Sequence, residues 1–329
     1  MKQFAGLAGH EDIIRSLRRA VTDGRVAHAY LFAGPAGTGK TTAARALAAA
    51  LLCRQPRDGE ACGACRDCRQ MAAGSHPDLH LIVPEGASIK IGQVREMQRA
   101  ATLYPVQGRR QVYLIRDADL MTAGAANALL KTLEEPPAGV VFILTSVRPY
   151  ALLPTVVSRC QDYFFRVLPL PLVMAVVQRE TGLDPEAAAL VAALSGGSPG
   201  RALELAAGGE PLEQRARALA LAAALPGAGA AVACRQAAAL AAEKGTAAAF
   251  LEILLVWYRD LLLWLETSSG ELLVNRDCQA QVRREAARFT SGRLIQMLGQ
   301  IERTRRLLTA GVNTRLALEV LFLQLAETA

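Results

Sequence analysis

The run GPAGTGKTT, from Gly34 to Thr42, concentrates more chemistry than any other stretch of this chain. Gly34, Pro35, Gly37, Thr38 and Gly39 form a loop whose glycines let backbone N–H groups turn toward phosphate oxygens. Lys40, Thr41 and Thr42 then open what must be a helix. In this spacing the lysine contacts β- and γ-phosphates and the Thr41 hydroxyl ligates Mg²⁺, so ATP or ADP with Mg²⁺ is the expected cofactor. The bland alternative is a loop kept only as a tight turn. Hydrolysis would need a carboxylate after a neighbouring strand to help hold the metal. The strand VYLI is followed instead by Arg116, then Asp117, with Asp119 close behind. Asp117 can serve as a metal partner only if the register slips by one residue. The expectation is a chain that holds nucleotide and turns it over weakly or not at all.

A second constellation is Cys53, Cys62, Cys65 and Cys68, spaced C-x8-C-x2-C-x2-C. Four thiolates at such spacing suit a structural Zn²⁺, which prefers tetrahedral sulfur and would have no open position left. Ordinary unliganded thiols are the alternative. His76, next to Pro77, reads as a loop histidine, and Cys160, Cys234 and Cys278 are too scattered for a second centre. Arg54, Arg57, Arg66 and Arg69 flank the cysteines, which raises a DNA-binding knuckle. With no aromatic residue among them to stack on bases, a solvated charged face fits better.

These residues need elements to position them. Apolar runs predict strands at Ala29–Ala33, Leu79–Val83, Gln111–Ile115 and Val140–Thr145. Helical spacing falls between and around them, at 13–22, 41–52, 89–101 and 122–133. Such alternation predicts a parallel sheet covered on both faces. After Phe165 the strand signal ends: short helices are expected at 173–182, 185–194 and 199–207, then long ones to the end. The expected organisation is α/β plus all-α. Residues 1–165 form a phosphate-loop domain with a cysteine module at 53–68, 166–208 a small helical lid, and 209–329 a helical domain. Phe250–Glu266 and Leu316–Leu325 are apolar nearly all round, which predicts burial in a core or against a partner.

Bulk properties limit the classes. At 329 residues with 52% apolar content and only 5% aromatics, the chain is an alanine-rich, largely helical protein. A net charge of +7 permits nucleic acid without requiring it. The first residues carry no apolar signal core, and charges interrupt the most apolar helix, so neither secretion nor a membrane span is expected. Seven cysteines, an odd number, indicate a reducing cytoplasm.

HAYLFAGPAGTGKTT from His28, the cysteine insertion, NALLKTLEEPP from Asn127 and SRC at Ser158–Cys160 together resemble the AAA+ clamp-loader family of bacterial replication. SGGSPGRAL from Ser195 and VNTRLALE from Val312 extend the resemblance over almost the whole chain. It implies a place in a hetero-pentamer with delta and ATP-hydrolysing gamma/tau subunits, which opens a sliding clamp and sets it on primed DNA. It also implies residue roles: Arg159 of SRC as an arginine finger reaching a neighbour's ATP, Thr145 and Ser146 as a γ-phosphate sensor, Arg201 as a lid arginine, and the last domain as an assembly collar. A local ion pair is the competing account of Arg159, and a solvent-facing helix position that of Arg201. Within the family, Arg116-Asp117 and the end at Ala329 favour the non-motor stator over a gamma/tau-type motor. A free-standing ATP-dependent nucleic-acid remodelling enzyme is the rival from outside it.

Overall fold

The computed structural model describes residues 4–207, 210–243 and 245–327. Two compact units emerge, one running up to Val176 and including Gly196–Arg201, the other comprising Val177–Ser195 and the chain from Ala202 onward. The boundary expected near Gly208 lies outside the described residues. Among those residues, no helix is long and apolar enough to cross a membrane.

In the first unit, α1 (Glu11–Thr22) precedes β1 (Ala29–Ala33), α2 (Lys40–Leu52), α3 (Arg66–Ala73), β2 (Leu79–Ile82), α4 (Ile91–Ala101) and β3 (Gln111–Ile115). Then come α5 (Ala123–Glu134), β4 (Val140–Ser146), α6 (Pro154–Val157) and β5 (Gln161–Phe164), with α7 (Leu170–Thr181) following. The strands form one sheet in the order β2-β3-β4-β1-β5, parallel throughout. β1, β3 and β4 are uncharged and buried along their length, as strands covered on both faces must be. One face (Tyr30, Phe32, Val112, Leu114, Ile143) packs with Leu17 of α1 and Leu47 of α2. The other (Leu31, Tyr113, Ile115, Phe142, Leu144) packs with Val94 and Met97 of α4 and Leu129 of α5. Buried alanines at 43, 44, 46 and 48 bring α2 close to the sheet.

The expected α/β class, with helices for the remainder, is what the chain adopts. β5 escaped the sequence reading because QDYF is short, polar and mostly exposed, an edge strand with no apolar signal. α3 was missed for a similar reason: it is one short helix inside what reads as a turn-rich insertion.

The second unit is helical, comprising α8 (Pro185–Leu194), α9 (Pro199–Ala206, begun in the first unit), α10 (Glu210–Ala224), α11 (Ala230–Ala242), α12 (Thr246–Thr267), α13 (Gln279–Ala286), α14 (Ser291–Thr309) and α15 (Thr314–Ala326). Its core gathers Leu254, Trp257, Tyr258 and Leu261 of α12 with Leu294 and Met297 of α14 and Leu318, Leu321 and Phe322 of α15. Asp260 interrupts the apolar run of α12 for a structural reason. Fully buried, its carboxylate accepts hydrogen bonds from the Val274 and Asn275 amides and from Asn275 Nδ2. The 273–275 turn is thereby fixed to the helix.

Candidate nucleotide and metal sites

A parallel sheet presents one edge at its strand C-termini, and the residues expected to meet a nucleotide collect there. Gly34–Thr42 links β1 to α2. Gly34, Gly37 and Gly39 all have positive φ (137°, 71° and 102°), a region open mainly to glycine. A Cβ on Gly34 would lie 2.0 Å from the Phe165 carbonyl oxygen, so glycine is required there on packing grounds as well. At the ends of β3 and β4, the same edge holds Asp117, Thr145 and Ser146. The Asp117 amide donates to Thr145 Oγ1 at 3.2 Å, and the Gly34 amide to the Ser146 carbonyl at 3.1 Å. Ser146 is fully buried, and its Oγ has no hydrogen-bond partner among the described residues. Arg201 also sits beside the loop: the Gly200 amide donates to Gly37 O at 2.9 Å, and Ser198 Oγ to Ala36 O at 3.0 Å.

Lys40 is buried, and its ammonium donates to the Gly34 and Pro35 carbonyls at 2.6 Å each. Burial pushes its pKa down to about 8 despite the opposing fields of the Asp117 and Asp119 carboxylates. Lys40, Thr41 and Thr42 form the first turn of α2, where amide groups have no intrahelical acceptor and attract anions. The loop thus fits a phosphate group.

It does not fit Mg²⁺ equally well. At a nucleotide site Mg²⁺ is held by phosphates and waters with one or two carboxylates, but the first residue past β3 is Arg116. Asp119 accepts from the Val147 amide (3.2 Å) and from Arg148 Nε (3.1 Å). Asp117, held at φ 52°, lies 3.9 Å from the Arg116 guanidinium.

Arg159 is not at this edge. It stands two residues before β5, whose pairing with β1 begins at Gln161 opposite Tyr30, so it lies at the N-terminal edge. One strand of about 3.3 Å per residue separates the two edges. Its guanidinium donates to Glu134 Oε1 at 2.6 Å and to the Thr155 carbonyl at 2.9 Å. Glu134, at the end of α5, carried no signal that it would meet Arg159; only the fold joins NALLKTLEEPP to SRC.

The four cysteines do come together, every Sγ within 4.8 Å of the others. Cys53–Cys65 and Cys62–Cys68 are each 3.9 Å apart, close to the roughly 3.8 Å edge of a tetrahedron with 2.3 Å Zn–S bonds. Amides of Cys62, Cys65 and Cys68 donate to Cys53, Cys62 and Cys65 sulfurs. Hydrogen bonds from the Ala64 and Cys65 amides lower the pKa of the Cys62 thiol to about 6, while burial raises those of Cys53 and Cys68. This donor set fits a closed thiolate centre. His76 lies in the loop before β2, as expected, and is buried there: burial lowers its pKa, its Nδ1 accepts from the Asp78 amide, and its Nε2 lies 3.7 Å from buried Asp67, which pairs with Arg54 at 2.8 Å. Sequence reading also missed Asp78, a buried carboxylate that accepts the amides of Val106, Gln107 and Gly108.

The chain is similar to known proteins over most of its length. Residues 9–169 match the family model described as DNA polymerase III, delta subunit, and residues 220–327 that of its C-terminal domain. The chain is 32% identical over 319 residues to the DNA polymerase III subunit delta' of Bacillus subtilis, covering 96% of this chain and 95% of that one. It is 44% identical over 179 residues to the delta' subunit of Pseudomonas aeruginosa, covering 53% and 54% of the two chains. Against the gamma/tau subunit of Mycobacterium tuberculosis it is 37% identical over 202 residues, 60% of this chain but 35% of that one.

Proposed function

Because the chain belongs to the family of DNA polymerase III delta' subunits, we propose that it is the stator of a cytoplasmic bacterial clamp loader. It joins delta and gamma/tau in a hetero-pentamer that places the sliding clamp on primed DNA, and it lends Arg159 to a neighbour's ATP. The observation that carries this reading is the position of Arg159. At the sheet edge opposite its own phosphate loop, it is badly placed to serve that loop and well placed to serve another subunit's. Its ion pair with Glu134 is no obstacle: both side chains are partly exposed, and such pairs contribute about 0–1 kcal/mol. A guanidinium there would stabilise charge developing on the transferred phosphoryl group.

The phosphate loop binds nucleotide in this reading, with little turnover of its own. Arg116 at the end of β3 and the occupied Asp119 carboxylate favour the stator over a gamma/tau-type motor. The four cysteines hold a structural Zn²⁺, residues 166–208 act as the lid, and the helices from α10 onward form the collar. Exposed Leu316 and Val320, one turn apart on α15, support a partner-facing side there.

The test is a clamp-loading and ATPase assay on the reconstituted complex with Arg159→Ala or Lys40→Ala in this subunit. Arg159→Ala should depress the complex's ATPase by at least about tenfold, in line with other arginine fingers, while Lys40→Ala should do much less. Equal effects, or an inert Arg159→Ala, refute the assignment.

A further inference from the structure

We propose that the Gly34–Thr42 loop binds nucleotide phosphates without a divalent cation, the Arg116 guanidinium standing in for the metal beside Lys40. The proposal rests on the reading of that loop as a nucleotide site and specifies its ligand as the metal-free di- or triphosphate. Side chains of β3 alternate between the two faces of the sheet. Val112 and Leu114 point into the core shared with α2, Tyr113 and Ile115 into the core shared with α4 and α5. Arg116, whose amide still continues the ladder onto Ile82 O at 2.9 Å, is next in the first series. It therefore emerges on the α2 face, at the edge where α2 begins with Lys40 and Thr41. Its Nε is buried and has no hydrogen-bond partner among the described residues, while its outer nitrogens reach only Asp117, at 3.9 Å.

The carboxylates that would draw a cation are answered by positive or donor groups of this chain. Asp119 is taken by Arg148 and the Val147 amide, and Asp117 lies beside the Arg116 charge at 3.9 Å. A polyphosphate entering between α2 and β3 thus meets two cations and the free amides of a helix start, with no bare carboxylate pair to require metal bridging. Arginine suits this role because it stays charged at any working pH and grips phosphate through two N–H groups at once.

The experiment is an equilibrium titration of the full, zinc-loaded chain with fluorescent ADP. It is run in buffer freed of divalent metal by resin, which spares the cysteine site, and again in millimolar MgCl₂. Affinities should agree within about threefold in the two buffers. Arg116→Asp should weaken metal-free binding by about tenfold or more and make binding depend on added Mg²⁺. Arg116→Gln, which removes the charge but leaves a polar side chain of moderate length, should show the same metal-free loss; thermal unfolding verifies that both variants fold. Wild-type binding that needs Mg²⁺, or folded variants that bind like wild type without it, overturns the proposal. If the wild type binds in neither buffer, the nucleotide reading itself fails. That outcome is distinct from the first, in which binding persists but follows the metal.

Discussion

Nucleotide affinity should fall steeply above pH 8, because one buried amine carries much of the phosphate contact. Lys40 sits with its ammonium on two loop carbonyls, and burial brings its pKa to about 8 in the free chain. A bound phosphate favours the charged form and returns the pKa toward the ordinary lysine value of about 10.4. Binding then takes up a proton whenever the pH lies between these values, and affinity drops tenfold per pH unit there. From pH 7.5 to 9.5, where the phosphates are already fully ionised, linkage gives a weakening of about 20-fold. Fluorescent ADP titrations at half-unit steps would follow it. Lys40→Arg, which keeps its charge throughout, should be nearly flat over the same range. A wild-type fall of less than about threefold, or an equal slope in Lys40→Arg, would refute the burial account of Lys40. The same shift has a signature in folding. A lysine whose folded pKa is lowered disfavours the folded state below that pKa, so the free chain should gain stability as pH rises from about 8 toward 10.4.

Three further outcomes follow from the geometry. Cys65→Ser should take bound zinc from about one per chain toward none by elemental analysis, with a lower melting temperature; unchanged metal content would dismiss the thiolate site. Asp260→Ala strands the Val274 and Asn275 donors in the core and should cost about 3 kcal/mol in urea unfolding, a loss below about 1 kcal/mol contradicting it. Gly34→Ala forces a Cβ to 2.0 Å from the Phe165 carbonyl at φ 137°. It should therefore destabilise by about 2 kcal/mol or more and abolish ADP binding, and a variant as stable as wild type would mean that the loop can shift.

What the sequence disclosed and what it withheld divide along physical lines. The phosphate loop and the cysteine spacing were legible because each is a local pattern: backbone torsions and sulfur separations are set within a few residues. β1, β3 and β4 were legible because burial on both faces leaves an uninterrupted apolar run. β5 was not, since an edge strand has one exposed side and QDYF shows no periodicity. His76 lies in the loop that its neighbours in sequence suggest, but its burial beside Asp67 and Asp78 was not legible, because only the packed insertion brings them together.

Arg159 shows where local reading ends. Its residue type permits both a finger and a surface ion pair, and the structure displays the pair, with Glu134. The pair alone does not decide the role, because a partly exposed carboxylate is a weak competitor for a guanidinium that a phosphate can reach. Position discriminates better. A parallel sheet separates its two edges by the length of a strand, so a residue just before β5 and a loop at the end of β1 belong to different surfaces. The chain therefore carries its glycine-rich loop on one edge and Arg159 on the opposite one, an arrangement that supports the proposed ring in which each subunit touches a different neighbour on each side. Arg116 alters the first edge without touching the second. Under the proposed function, that separation would let a subunit lose its own metal chemistry and still contribute to a neighbour's.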